Sequence, residues 1–540
     1  MVFHRVPLTS QARKPVLFAL VLAGALAAAA APAQSATLRW AFQGQLNALD
    51  PYTLNETFTL GQLGNVYEGL TTRGEDLEIL PALAESWEVI EPTRWRFHLR
   101  QGVKFHNGND FNADDVVFSV ERVLSPNSDL KTRLPGDVKA EKVDDYTVDF
   151  VLTTPNPILH YEWDTWYIMD KEWAEANGAT AVVSASEPGQ NKAAFETNGT
   201  GPYVIESHEA GVRTVYKRNP DYWGEVEGNI DEIVFTPIAQ DATRVAALLS
   251  GEVDLIDPVP VQDIERVNQN PGTDALTGPE LRTIFLGFNA IRDELPTSDV
   301  KGKNPFQDAK VRKAFYQAID VEAISQKVMR GLATPNALLI SPLLYERADE
   351  FKRHPYDPDA AKALLAEAGY PDGFSVGMDC PNDRYVNDEA ICQAVVSMLA
   401  RIGVEVALNA QTKSVYFGRV LATGGYDTDF FLLGWTPGSF DSWNVLTNLA
   451  TCRDETGKGA PFNLGGWCNP KVDDLAKQIL VESDTEKRDQ LIFDAYAILH
   501  EEVSHVPLHQ QSLAWGKSEK LDLVQRADNQ VLFRWMTLND

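Results

Sequence analysis

YDTDFFLLGWTPGSFDSWN, Tyr426 to Asn444, is the stretch on which the fold turns. Four apolar residues, Phe430 to Leu433, run into Gly-Trp and then into Thr, Pro, Gly and Ser. A run this short, bounded by turn formers, predicts a buried strand rather than a helix, followed by a loop delivered to an edge. Gly434 lets backbone approach a ligand closely, and Trp435 offers a flat apolar surface with one N–H donor. A core strand ending in an ordinary turn is the competing reading, and the stretch by itself leaves both open.

Outward from it, the pattern is one of strands alternating with amphipathic helices. Thr37 to Phe42 alternates as a strand, and Phe58 to Tyr67 has helical spacing. Trp87, Val89 and Ile90 fall on one predicted strand and Trp95, Phe97 and Leu99 on the next. Asn112 is placed to cap a helix opening with Ala113, Asp114 and Asp115, acids suited to the positive end of a helix dipole. The class is α/β, with sheets sandwiched by helices.

The N-terminus carries Arg5, Arg13 and Lys14, then VLFALVLAGALAAAAAPA from Val16 to Ala33. This reads as an export signal, with small residues at Ala31, Ala33 and Ala36 and cleavage expected near Ala33 to Ala36. No Cys follows the apolar run, so a lipid anchor there is not expected. Removal lowers 48 Lys and Arg to 45 against 77 Asp and Glu, a formal charge near −32. Such a field repels nucleic-acid backbones and anionic lipid surfaces, which argues against either as the partner. A mature length of roughly 500 residues exceeds what one core supports and predicts two or three domains.

All four cysteines lie in the last third, at 380, 392, 452 and 468. An even count in an exported chain favours disulfides. Of three possible connectivities, Cys380 with Cys392 and Cys452 with Cys468 closes two short loops and is the expected one. No CxxC spacing supports a zinc or thioredoxin-type site.

LAESWEVIEPTRWRFHLRQGVKFHNGNDFNADDVVFSVER, Leu83 to Arg122, closely resembles the family 5 extracellular solute-binding proteins, the peptide, opine and nickel class that feeds ABC transporters. NGTGPYVIESHEAGVRTVYKRNPDYWG, Asn198 to Gly224, is similar to that family's return strand pair and its Asn-Pro-x-Tyr-Trp-Gly turn. RVAALLSGEVDLI from Arg244, FLGFNA from Phe285, DAKVRKAFYQAID from Asp308 and PYDPDAAKALLAEAGYPDGF from Pro355 continue the likeness over nearly the whole mature chain. The Cys452 to Cys468 loop also matches a pair in dipeptide-binding relatives.

The resemblance implies a bilobed type II periplasmic-binding-protein fold with an additional inserted domain. Domain I is expected at 37–68, 201–285 and 503–540, the insert at 69–200, and the second lobe at 286–502. Crossings between lobes are expected near Thr283 to Asn289 and His500 to Leu508. The implied function is the periplasmic binding component of an ABC importer, a monomer that captures a peptide or peptide-like solute between its lobes and delivers it to a membrane permease. An opine, an oligosaccharide or a metal chelate is the alternative ligand class.

A secreted hydrolase is the remote alternative. HEEVSH, His500 to His505, approaches a zinc-protease motif, but its histidines are five apart, about 140° around a helix, and cannot share a metal. His505 and His509 flank Pro507, which breaks a helix. No G-x-S-x-G elbow, P-loop or dinucleotide fingerprint is present. No enzyme activity, cofactor or metal is expected.

For the site, the resemblance carries over residue by residue. Peptide-binding relatives place an Asp shortly after the Gly-Trp to hold the ligand's amino terminus; here Gly438 stands in that place, two beyond Thr436, and Asp441 lies three further on. CPNDRYVND, Cys380 to Asp388, resembles the segment carrying an Arg for the ligand carboxylate and a Tyr two residues later. Tyr385 matches the Tyr, while Asp383 holds the Arg position and Arg384 is displaced by one. On an extended segment that shift turns the side chain to the opposite face. A cationic ligand would suit Asp383 and Asp441; a sugar or opine would suit Trp435, Trp443 and Asn444. Asn55, Glu56 and Phe58 are first-lobe candidates by position after the first strand.

Overall fold

Phe430–Trp435 is a strand. Phe430 and Leu432 enter one apolar cluster with Phe288, Phe306 and Phe315, while Phe431 and Leu433 enter another with Phe285, Tyr416 and Tyr496. Burial on both faces is the reason the run is continuously apolar instead of alternating. Each such side chain taken fully out of water contributes about 1.5–3 kcal/mol.

The computed structural model describes residues 36–183, 191–453 and 459–540; apart from Ala36, the export signal read at the N-terminus lies outside them. Among the described residues, eleven strands form one continuous sheet. Two of these are long, Thr273–Phe288 and His505–Ser518, and pair antiparallel along their length. Their register breaks between Pro279 and Thr283. On one side of the break the sheet continues through Leu255–Asp257, Ala36–Phe42, Ile230–Pro237, Arg213–Arg218 and Tyr203–Glu209. On the other it continues through Phe430–Trp435, Ser375–Pro381 and Glu405–Gln411, and Ala333–Pro335 pairs beside His505–Ser518 as the eleventh strand. Two bridging strands therefore join two α/β halves, and the break lies a few residues before the Thr283 to Asn289 crossing expected from sequence.

Residues 84–151 build a sheet of their own, in the order Ala84–Glu91, Arg94–Leu99, Thr147–Val151, Lys139–Asp144. The helix Ala113–Val123 packs with it, capped as its sequence predicts. The Asn112 side chain accepts from the Asp114 N–H at 2.8 Å, and the Asp115 carboxylate accepts from the Asn112 N–H at 2.9 Å. This reciprocal pair satisfies backbone donors that the first turn leaves open. Trp40, Tyr52, Phe97, Phe150, Trp163 and Trp166 belong to a single apolar cluster, so this sheet shares its core with the first half.

The cysteines pair sequentially, Cys380 with Cys392 and Cys452 with Cys468, at separations of 12 and 16 residues. Each bridge is expected to stabilise by about 3 kcal/mol in the chain-entropy model. Replacing both members of one pair by Ala should lower the urea-unfolding free energy by about that amount, and an unchanged midpoint would contradict it.

His505 and His509 lie within a bridging strand, not a helix. Burial depresses His505 to about 3 and His509 to about 4, with the Arg312 and Arg353 cations adding to the respective shifts. Both rings are neutral in the fold, whereas in the unfolded chain they take up protons below about 6.5. Their stabilisation is therefore complete above about pH 6.5 and lost as pH falls toward 4. A His509→Leu protein should lose less stability than the wild type between pH 7 and pH 4.5, read as urea midpoints; equal losses would contradict this.

Candidate binding site

Trp435 pairs with Thr283, the first residue beyond the register break, so the end of its strand lies where the two halves meet. The parallel neighbour Ser375–Pro381 ends at the same edge and hands the chain to the loop carrying Asp383, Arg384 and Tyr385. That loop is not extended as the sequence suggested. It turns, with Asn387 at φ 55°, into the helix Asp388–Leu399. The Asp388 carboxylate fixes the turn by accepting from the backbone N–H groups of Arg384 and Tyr385 at 2.9 and 3.0 Å.

The turn separates two neighbours. Tyr385 is buried and its hydroxyl donates to the Gly434 carbonyl at 3.3 Å. Arg384 is exposed and, among the described residues, its guanidinium makes no hydrogen bond or ion pair. Its pKa is nevertheless lowered, first by desolvation and second by the Arg282 cation, with Tyr385, Glu280 and Glu56 opposing. The side chain is thus reached by water and lies within electrostatic range of the bridging strand and of Glu56 in the first half.

Gly434 serves a different purpose from the one its sequence suggested. A Cβ there would lie 2.7 Å from Ile284 and 2.8 Å from the Tyr385 ring, so the glycine admits Tyr385 rather than a ligand. Trp435 is half-buried, packed on Phe462 at 4.7 Å between ring centroids. Its indole N–H donates to the Asn444 side-chain oxygen at 3.1 Å, and the Asn444 amide donates to Glu162 at 3.1 Å. Glu162 in turn accepts from Arg133 at 3.3 Å, and Arg133 donates to the Asn55 side chain at 3.0 Å. The chain Trp435, Asn444, Glu162, Arg133, Asn55 thus runs from one half to the other. In the loop between, the enclosed Thr436 and Ser439 hydroxyls have no hydrogen-bond partner among the described protein atoms.

Gly438, where the resemblance led one to expect an acid, lies against this network. A Cβ there would approach Arg133 to 2.8 Å and Glu162 to 3.4 Å. Asp441 does not supply the missing charge to an open site. It caps the helix Ser442–Leu449 and binds Arg488 through both oxygens at 2.8 Å. Asp383 is exposed and accepts from the Lys413 N–H at 2.5 Å. Trp443 packs against the apolar cluster beneath the helix. Phe58, partly buried, stacks on Phe42 with centroids 3.7 Å apart and packs against the core beside Trp40 and Phe235. Asp441 is therefore engaged within the protein, while Asp383 accepts one backbone hydrogen bond at the surface.

Sequence reasoning missed Arg133, Glu162, Glu280 and Arg282. A signal existed for Arg282, a charged residue shortly before the apolar run Ile284 to Phe288. Arg133 ends a one-turn 3-10 helix and Glu162 stands in a turn, both too short for periodicity to carry information.

A family model for the bacterial extracellular solute-binding proteins, family 5, matches residues 78–457. The chain belongs to this family. Within the family 5 solute-binding proteins, it is 29% identical to the dipeptide-binding protein of Escherichia coli K12 over 501 residues, 88% of this chain and 89% of that protein. It is 28% identical to the glutathione-binding protein GsiB of Salmonella typhimurium over 517 residues, 94% of each. The periplasmic binding protein DppA of Helicobacter pylori, solved with the peptide STSA, superposes with a TM-score of 0.76 at 24% identity, over 94% of this chain and 98% of that one. That likeness shows the bilobed type II fold, and the two bridging strands are where its halves join.

Proposed function

We propose that this solute-binding protein captures a peptide or peptide-like solute between its halves and hands it to the membrane permease of an ABC importer. The observation that carries the reading is the juxtaposition at the register break: a tryptophan face, two unpartnered hydroxyls and an unpaired guanidinium, contributed by two neighbouring strand ends. An apolar wall with a few convergent polar groups at a domain interface is the usual form of a small-molecule site. The dipeptide- and glutathione-binding relatives support a peptide-like ligand. Trp435, Thr436, Tyr385 and Arg384 are its proposed wall, with the Gly438 loop closing against Arg133 and Glu162. The lobes are proposed at 37–68, 201–285 and 503–540 against 286–502, with 69–200 inserted. The protein acts in the periplasm after removal of its export signal, as a monomer, and catalyses nothing.

A thermal-shift screen of peptides, amino-acid conjugates and oligosaccharides tests this. A solute at about 100 times its dissociation constant adds about 2.7 kcal/mol to a fold that alone binds it, which raises the melting temperature measurably. Peptide-like hits recovered unaltered are expected; chemical turnover of any hit would overturn the binding-only reading.

A further inference from the structure

Arg282 and Arg384 both lie close to the Tyr385 ring. The guanidinium carbon of Arg282 is 5.8 Å from the Tyr385 ring centroid and that of Arg384 is 5.1 Å. Arg282 lies within the register break of the bridging strand, and Arg384 on the turn after Ser375–Pro381. Two cations beside the same tyrosine repel each other unless an anion lies between them.

The nearby acids meet only part of that demand. Glu280 accepts from Arg282 Nε at 3.1 Å through one oxygen and from the Gln511 amide at 2.5 Å through the other. It holds Arg282 by its inner nitrogen and leaves the terminal nitrogens, among the described residues, without a hydrogen bond. Glu56 accepts from Thr59 at 2.7 Å and from Asn47 at 3.2 Å. Glu280 is thus committed through both oxygens and Glu56 through Oε2 alone, while the terminal nitrogens of both guanidinium groups make no hydrogen bond among the described residues. A guanidinium presents planar donors that match a carboxylate bidentately.

We infer that Arg282 and Arg384 form a two-guanidinium fork that takes two carboxylates of one ligand, so that the preferred solute is an acidic peptide-like compound rather than a neutral or basic one. This rests on the proposed solute site, and it assigns to Arg282 a role in specificity distinct from general capture. A ligand with one carboxylate satisfies Arg384 alone; a second carboxylate within side-chain reach relieves the remaining cation. Arg384 then acts on every ligand, and Arg282 only on acidic ones.

The test is calorimetric titration of the wild type, Arg282→Gln and Arg384→Gln with two matched pairs: the dipeptides Ala-Glu and Ala-Gln, and glutarate with its monoamide. In each pair only one carboxylate becomes an amide. The wild type is expected to prefer the dicarboxylate member by roughly tenfold or more, the size of one good charge-assisted contact. Arg282→Gln should abolish that preference while changing affinity for the amide member less than about threefold, and Arg384→Gln should weaken both. Equal wild-type affinities within each pair, or an Arg282→Gln effect equal on both members, would overturn the fork. If only the glutarate pair binds, with the preference removed by Arg282→Gln, the fork stands and the peptide reading falls. Absence of binding by both pairs would overturn the fork as well.

Discussion

Replacing Arg384 by Ala is expected to weaken binding of the cognate solute by about 2–4 kcal/mol, as truncation of one partner in a desolvated charge pair does. The same change should move folding stability by no more than about 0.5 kcal/mol, because the side chain is exposed and makes no hydrogen bond or ion pair among the described residues. The asymmetry follows from the turn that Asp388 fixes through the backbone, which stays intact when the Arg384 side chain is removed. Calorimetric affinity and the urea midpoint together check it. An unchanged affinity, or a stability loss as large as the affinity loss, would place Arg384 outside the site.

Asp50→Ala is expected to have the largest effect on stability, about 3–5 kcal/mol, because it leaves the Arg122 guanidinium buried without its counter-charge. Arg122 has no exposed side-chain area and Asp50 only 3%. Arg122 donates to Asp50 at 2.9 and 2.5 Å, to the Ala179 carbonyl at 3.0 Å, and lies over the Tyr52 ring at 5.0 Å. One side chain from the helix Ala113–Val123 thereby pins the loop after the first strand to the segment near residue 180. The double variant Asp50→Ala/Arg122→Met should recover much of the loss, since an apolar replacement no longer strands a charge. Urea unfolding of the three proteins reads this directly, and a single-variant loss below about 1 kcal/mol would contradict it.

The architecture was legible where local pattern and burial agree. Phe430–Trp435 reads as a strand because both its faces are buried, and the helix after Asn112 because its cap is written in adjacent residues. The cysteine pairing was legible because short loops limit the choices. The site was legible only in part. Trp435, Tyr385 and Arg384 could be placed from neighbouring residues, but the engagement of Asp441 by Arg488 depends on a contact 47 residues away. Arg133 and Glu162 reach the Gly438 loop from segments some 300 residues earlier in the chain, and no spacing rule connects them. Gly434 was misread because the atom needing its space is the Tyr385 ring, which only the folded chain brings there.

The central claim is that the Trp435 wall binds solute rather than merely closing a core. Its most direct test is calorimetric titration of wild type and Trp435→Ala with the solute that native mass spectrometry finds on gently purified protein, with urea midpoints measured in parallel. A desolvated aromatic anchor predicts an affinity loss above about 1 kcal/mol in the folded variant. Unchanged affinity accompanied by a stability loss of about 3–5 kcal/mol, the signature of a core aromatic, would contradict it.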